Sequence, residues 1–207
     1  HGGDIFLKKI VAFTGAGISK ASGIPTFEEM PGIRNYLTRD YFQAHPGEFY
    51  KNLWQFYLKI KEAEPNAAHL ALAEHDIPVV TMNVDGLHRR AGTKELVEIH
   101  GNLEYVFCPG CGLRKTFEFI EKDINCPECG NVLQPNVILY GDIIKEFQTA
   151  IDILRGAEVL LVVGTSFYTS TASDFVNYAR YRGMEVEIIN ENAEVRVGEF
   201  LRGNTIK

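Results

Sequence analysis

Every cysteine of this chain lies in one of two near-identical knuckles, Cys108-Pro109-Gly110-Cys111-Gly112 and Cys126-Pro127-Glu128-Cys129-Gly130. Two CxxC pairs separated by residues 112–125 supply the four thiolates of a tetrahedral cage, and the spacing points to one structural zinc ion. The glycine after each second cysteine lets the backbone turn tightly and aim amides at sulfur. Two redox pairs or two disulfides are the competing readings. A redox CxxC more naturally opens a helix, and neither pair here opens an apolar periodic run. The segment from Tyr105 to Leu133 is too short for a core of its own, so metal must supply much of its folding energy. Cysteines committed to metal suit a reducing compartment, so the cytoplasm is the expected location.

The rest of the chain has to be the scaffold that carries this module. With 207 residues, 45% hydrophobic and 23% charged, there is material for one large domain plus a small insert. Short β-rich runs recur at Ile10–Phe13, Val79–Thr81, Leu96–Ile99, Val137–Tyr140, Val159–Val163 and Val186–Ile189. The run from Val159 to Val163 is apolar throughout, as a strand buried on both faces should be. Helical stretches over Pro46–Ala63, Asn66–His75, Phe147–Leu154 and Ala172–Tyr181 lie between them, with Asn66 as an N-cap. This alternation predicts an α/β fold: a Rossmann-like parallel sheet with an inserted small zinc-ribbon module. The expected division is 1–104 and 134–207 for the Rossmann-like domain and 105–133 for the module, with neighbouring helical residues completing the small domain.

The net charge of −6 argues against non-specific polyanion binding. Between the knuckles only Arg114, Lys115 and Lys122 stand against several acids, so no direct nucleic-acid partner is expected. No apolar run reaches the length of a membrane span. The opening His1-Gly2-Gly3-Asp4 reads as a ragged terminus, not a secretory signal.

Strand Ile10–Phe13 runs into Thr14-Gly15-Ala16-Gly17-Ile18-Ser19. A strand feeding a glycine turn and then a helix is expected to present free amides to an anion such as a pyrophosphate. Lys20 stands where a third glycine would complete GxGxxG, and no acidic residue follows on a clear second strand, so a simple tight turn competes. Other strands end in polar clusters: Asn83-Val84-Asp85-Gly86-Leu87-His88, His100-Gly101, Gly164-Thr165-Ser166 and Asn190-Glu191. Ligands of parallel α/β sheets sit outside such carboxyl ends.

Taken in order, Gly15-Ala16-Gly17-Ile18-Ser19, Gly23-Ile24-Pro25, Phe27, Asn83 to His88, His100-Gly101, the two CxxC pairs, Pro135 to Asp142, Gly164-Thr165-Ser166 and Asn190 resemble the sirtuin family of NAD-dependent protein lysine deacylases. The resemblance implies NAD as co-substrate, an acylated lysine of a protein or peptide as partner, and nicotinamide, O-acyl-ADP-ribose and free lysine as products. It makes His100 the general base on a ribose hydroxyl, a task its ordinary pKa near 6.5 suits. It gives Asn83 the ribose and a catalytic water, and Asp85 with Ile18 the nicotinamide carboxamide. Gly15, Ala16 and Gly17 would line the pyrophosphate, with Phe27 on the same cofactor loop. Gly164, Thr165 and Ser166 would meet phosphate or ribose, and Asn190 and Glu191 the adenosine side. Val137, Leu139, Tyr140 and Gly141 would pair with the substrate peptide by strand addition. A structural histidine at 100 and an Asx turn at 85 are the blander readings of those two residues.

Three positions depart from the family pattern. Glu28 replaces an arginine after Phe27, which sets negative charge beside a diphosphate. Met82 replaces a glutamine, and Gln134 an arginine. ADP-ribosyl transfer or NAD hydrolysis on the same scaffold, and a non-catalytic zinc- and NAD-binding module, are the alternative functions.

Overall fold

Strand runs and helix runs alternate, and the alternation fixes the main sheet. The computed structural model describes residues 8–30, 32–166 and 170–205; the opening His1 to Asp4 lies outside them. The chain begins with β1 (Ile10–Thr14), a 3-10 helix over Ala16–Ser22 and a 3-10 turn over Phe27–Glu29. Four helices follow: α1 (Ile33–Tyr36), α2 (Arg39–Ala44), α3 (Pro46–Glu62) and α4 (Ala67–Glu74). Then come β2 (Val79–Thr81), α5 (Leu87–Arg90), β3 (Leu96–Glu98), β4 (Gly101–Phe107), β5 (Arg114–Thr116), a 3-10 helix over Phe117–Glu121, and β6 (Gln134–Val137). The chain closes with α6 (Phe147–Leu154), β7 (Val159–Val163), α7 (Ser170–Tyr181), β8 (Glu185–Ile189) and α8 (Ala193–Gly203).

The main sheet has the order β3-β2-β1-β7-β8, and every pairing in it is parallel. β1 at its centre and its neighbour β7 are buried at every position, because helices cover both faces. Side chains alternate across the strand. Ile10 and Ala12 pack with Leu72 of α4 and Val197 of α8, while Val11 and Phe13 pack with Leu154 of α6 and Phe175 of α7. This is the expected Rossmann-like architecture.

A second core lies off the sheet. Phe49, Tyr50, Leu53, Tyr57 and Ile60 recur at helical spacing along α3 and form one apolar cluster with Val106, Phe117 and Leu133 and with the buried Cys108 and Cys126. Here the antiparallel sheet β5-β4-β6 carries the cysteine knuckles. The Tyr50 hydroxyl donates to the Leu133 carbonyl, which ties α3 to the end of the module. Pairing of Gly101 with Val137 carries this sheet beyond the expected 105–133. Only Ile99 and His100 separate β3 of the parallel sheet from β4 of the antiparallel one.

The expected strand Val137–Tyr140 is corrected: β6 ends at Val137. Beyond it the Ile138 amide still donates to the His100 carbonyl in the register of Gly101 and Val137, and Leu139 to Asp142 form a turn. Tyr140 makes only a single bridge, to Thr38. Asn66 caps α4 as expected, accepting from the Ala68 amide. No described helix is long and apolar enough to cross a membrane.

Candidate NAD and acyl-lysine site

Register brings the strand ends level. Thr14 stands opposite Thr81 and Val163, Thr81 opposite Glu98, and Val163 opposite Ile189. The residues just past this row therefore share one edge of the sheet, the carboxyl edge where α/β ligands bind. The sequence-derived candidates Gly15, Asn83, His100, Gly164 and Asn190 all fall within two residues of it.

The glycine turn meets the end of β7 backbone to backbone. The Gly15 amide donates to the Val163 carbonyl (2.9 Å) and the Gly17 amide to the Gly164 carbonyl (2.8 Å). A Cβ on Gly17 would lie 2.6 Å from the Gly164 Cα. Gly164 has φ of +66°, and a Cβ there would lie 2.2 Å from the Ile18 amide nitrogen. One expectation changes accordingly. The turn opens the expected helix, of 3-10 type, but its two glycine amides are bonded to the Val163 and Gly164 carbonyls and are not free for an anion. Glycine is required because two loops cross in contact.

Around this crossing the polar side chains form one network. Asn83 Nδ2 donates to the Gly15 carbonyl (3.0 Å) and to Ser19 Oγ (3.3 Å). Ser19 Oγ in turn donates to Asp85 Oδ2 (2.7 Å), and Asp85 Oδ1 accepts from the Leu87 amide (2.9 Å). Asp85 is only 7% exposed. Burial raises its pKa, opposed by the bonds from Leu87 and Ser19. Ile18, next to Ser19 in the chain, is buried, and Phe27 and Ala16 are half-buried. Behind the network, Thr14 Oγ1 donates to Thr81 Oγ1 (2.7 Å). The Thr14 hydroxyl proton being spent there, His88 Nε2–H donates to Thr14 (2.9 Å). Burial lowers the His88 pKa, and burial followed by the charge of Arg90 lowers His69 to about 4. Both rings are neutral at pH 7.

His100 is tautomerically fixed. Its Nδ1 lies 3.1 Å from the Met82 carbonyl; a carbonyl only accepts, so Nδ1 carries the proton and Nε2 keeps its lone pair. Burial lowers the His100 pKa, partly offset by this bond. Gly101 has φ of +77°, and a Cβ there would lie 2.0 Å from the Asn136 carbonyl oxygen, so β4 can leave the His100 corner only through glycine. On the other side of the sheet the Thr165 amide donates to Asn190 Oδ1 (3.1 Å), while Ser166 and Glu191 are exposed. Asn190 thereby fixes the loop after β7.

The peptide candidates carry most of their backbone bonds internally. The Ile138 amide donates to the His100 carbonyl, the Tyr140 amide to the Leu37 carbonyl, and the Arg39 amide to the Tyr140 carbonyl. The Leu139 amide donates to Asp142 Oδ2 and the Leu139 carbonyl accepts from the Asp142 amide. Among the described residues the Ile138 carbonyl and the Gly141 amide remain without a partner.

The departures from the pattern acquire partners. Met82 contributes its backbone carbonyl to His100, and its side-chain tip would lie 3.2 Å from a Cβ on Gly15. Glu28 is exposed. Glu29 pairs with Lys20 (2.8 Å) and accepts from the Thr26 amide; the Lys20 bond, then the Thr26 amide, lowers its pKa to about 2. The loop's second acid is thus spent on a cap and an ion pair. Gln134 Oε1 accepts from Arg39 Nη1 (3.3 Å).

The four cysteines are free thiols whose sulfurs all lie within 4.8 Å of one another. Cys108 and Cys129 Sγ are 3.3 Å apart, and Cys111 and Cys126 Sγ 3.6 Å. Tetrahedral Zn–S bonds of about 2.3 Å set sulfur–sulfur edges of about 3.8 Å, so the donor set fits that ion. The knuckles repeat each other: Gly112 donates to the Cys108 carbonyl and Gly130 to the Cys126 carbonyl, both glycines at φ of +75°.

Ser19, Thr14, Thr81, Ile138, Arg39 and Asp142 were not singled out as site residues from the sequence. Ser19 sits inside the glycine motif and was legible there. Arg39 lies far from its partners in sequence and carried no signal.

A family model described as the Sir2 family matches residues 15–170. An NAD-dependent protein deacylase of Pyrococcus furiosus is 39% identical over 93% of this chain and 87% of its own length. An NAD-dependent protein deacetylase of Bacillus anthracis is 33% identical over 95% and 92%. The solved structure of Sir2Tm bound to a propionylated peptide superposes with a TM-score of 0.85 at 28% identity, over 94% of this chain and 92% of that one. A structure of Sir2 with 2'-O-acetyl-ADP-ribose and a deacetylated peptide gives 0.84 at 28% identity, over 94% and 93%. With the motifs, the sheet and the polar network in agreement, this chain belongs to the Sir2 family.

Proposed function

We propose that the chain is an NAD-dependent protein lysine deacylase that releases nicotinamide, O-acyl-ADP-ribose and free lysine. The observation that carries this is the fixed tautomer of His100, whose Nε2 lone pair stands at the carboxyl edge of the sheet. The relatives named deacylase and deacetylase support the same reading.

Asp85 accepts the amide hydrogens of the nicotinamide carboxamide in a pocket walled by Ile18. Asn83, anchored on Gly15 and Ser19, holds the ribose and a water. The glycosidic bond to nicotinamide breaks as the acyl oxygen bonds to the anomeric carbon. His100 Nε2 takes the proton of a ribose hydroxyl, which then attacks the acyl carbon. Water completes the sequence, and the lysine amine leaves with its proton. Gly15, Gly17 and Gly164 keep the loop crossing thin where the dinucleotide passes. Phe27, Thr165, Ser166, Asn190 and Glu191 complete the cofactor side. The peptide adds along Val137 to Gly141, where the Ile138 carbonyl and the Gly141 amide offer one acceptor and one donor. Cys108, Cys111, Cys126 and Cys129 hold one zinc ion, which organises the module and takes no part in the bond changes. Thiolates kept for metal suit a reducing compartment such as the cytoplasm.

The deciding assay incubates the protein with NAD and an acetyl-lysine peptide and follows nicotinamide and free lysine by mass spectrometry. One nicotinamide per lysine freed is expected. Nicotinamide without lysine, or a His100→Ala variant with full activity, would overturn the reading.

A further inference from the structure

Strand addition needs a segment that holds its shape before the peptide arrives. Residues 138–142 are held by backbone bonds to His100, Leu37 and Arg39 and by one side chain from a helix distant in sequence. The Leu139 carbonyl accepts from the Asp142 amide, and Gly141, third in the turn, has φ of +99°, as a type II turn requires. Asp142 closes the turn a second time through its carboxylate, since Oδ2 accepts from the Leu139 amide (2.9 Å).

Arg39, the first residue of α2, grips that carboxylate with two parallel bonds. Nε donates to Oδ1 (2.8 Å) and Nη2 to Oδ2 (2.7 Å), the bidentate geometry that fixes orientation as well as charge. Nη1 reaches Gln134 Oε1 on β6 (3.3 Å), and the guanidinium lies over the Phe42 ring, 5.3 Å from its centroid. The Arg39 amide also donates to the Tyr140 carbonyl (2.9 Å). One residue therefore joins the strand exit, the turn and the helical part of the small lobe. The pair is only 22% and 17% exposed, which protects it from the screening that weakens surface pairs.

We propose that Arg39 is a positioning residue for the acylated peptide: its hold on Asp142 sets the 139–142 turn so that the Ile138 carbonyl and the Gly141 amide face an incoming strand. It touches no reacting atom. The inference rests on the deacylase reading above.

Steady-state kinetics with an acetyl-lysine peptide and NAD test it. Arg39→Ala should raise the peptide KM about tenfold, with the NAD KM and kcat changed less than about threefold. Arg39→Lys should recover only part, because an ammonium cannot make both parallel bonds. Asp142→Asn should raise the peptide KM like Arg39→Ala, and the double variant should add little. Melting curves establish that each variant is folded. If Arg39→Ala is not, the same comparison is read from Arg39→Lys and Asp142→Asn. A peptide KM unchanged in the folded variants, or an equal rise in the NAD KM, overturns the role of Arg39 alone. A wild-type protein that frees no lysine overturns the deacylase reading and this inference with it.

Discussion

A single backbone carbonyl decides which nitrogen of His100 can act. Met82 was notable in the sequence for the side chain it lacks, yet its contribution here is the peptide oxygen, which any residue would supply. Burial lowers the His100 pKa, and a general base works only when unprotonated. The acid limb of kcat/KM should therefore lie below the ordinary histidine value of about 6.5, with activity level between pH 7 and that point. A pH–rate profile checks this, and a limb above the ordinary value would contradict it. Gly17 gives a second test at this scale. Alanine there would drive a Cβ to 2.6 Å from the Gly164 Cα. Such overpacking costs about 1–3 kcal/mol, so Gly17→Ala should lower the melting temperature and raise the NAD KM together. Gly15 and Gly17 were legible as a turn, but the partner that makes glycine necessary, Gly164, emerges only from the β1–β7 register.

At the scale of elements, α3 and the cysteine segment depend on each other. Cys108 and Cys126 belong to the same apolar cluster as Phe49, Tyr50, Leu53 and Phe117. The metal would therefore brace one wall of a core whose other wall is a helix distant in sequence. Removing zinc with a strong chelator should abolish deacylation and lower the melting temperature, because metal binding free energy in so small a module is folding free energy. Added zinc should restore both. Activity that survives complete removal, verified by metal analysis, would show that the module folds unaided. The apolar runs of β1 and β7 were readable because local periodicity and burial agree, and the N-cap of α4 because Asn66 is a favoured capping residue. The end of β6 was not, since Val137-Ile138-Leu139-Tyr140 has strand composition and what ends it is the turn that Asp142 closes on Leu139 together with the bonds of Tyr140 to Leu37 and Arg39.

For the whole molecule, two sheets meet at the carboxyl edge where Asn83, Asp85 and the glycine crossing stand. The parallel sheet was foreseeable from alternation alone. The extent of the second lobe was not: α3 reads as one more amphipathic helix, and nothing local says that its apolar stripe faces the cysteine segment instead of the parallel sheet. The two-residue link of Ile99 and His100 between β3 and β4 is one of several crossings between the lobes, with the chain between α3 and α4 and that between β6 and α6. The knuckles lie at the far end of β4 from this link, whereas Ile138 is bonded to the His100 carbonyl itself. His100 therefore takes its place from both sheets at once, from the end of β2 through the Met82 carbonyl and from the end of β6 through the Ile138 amide.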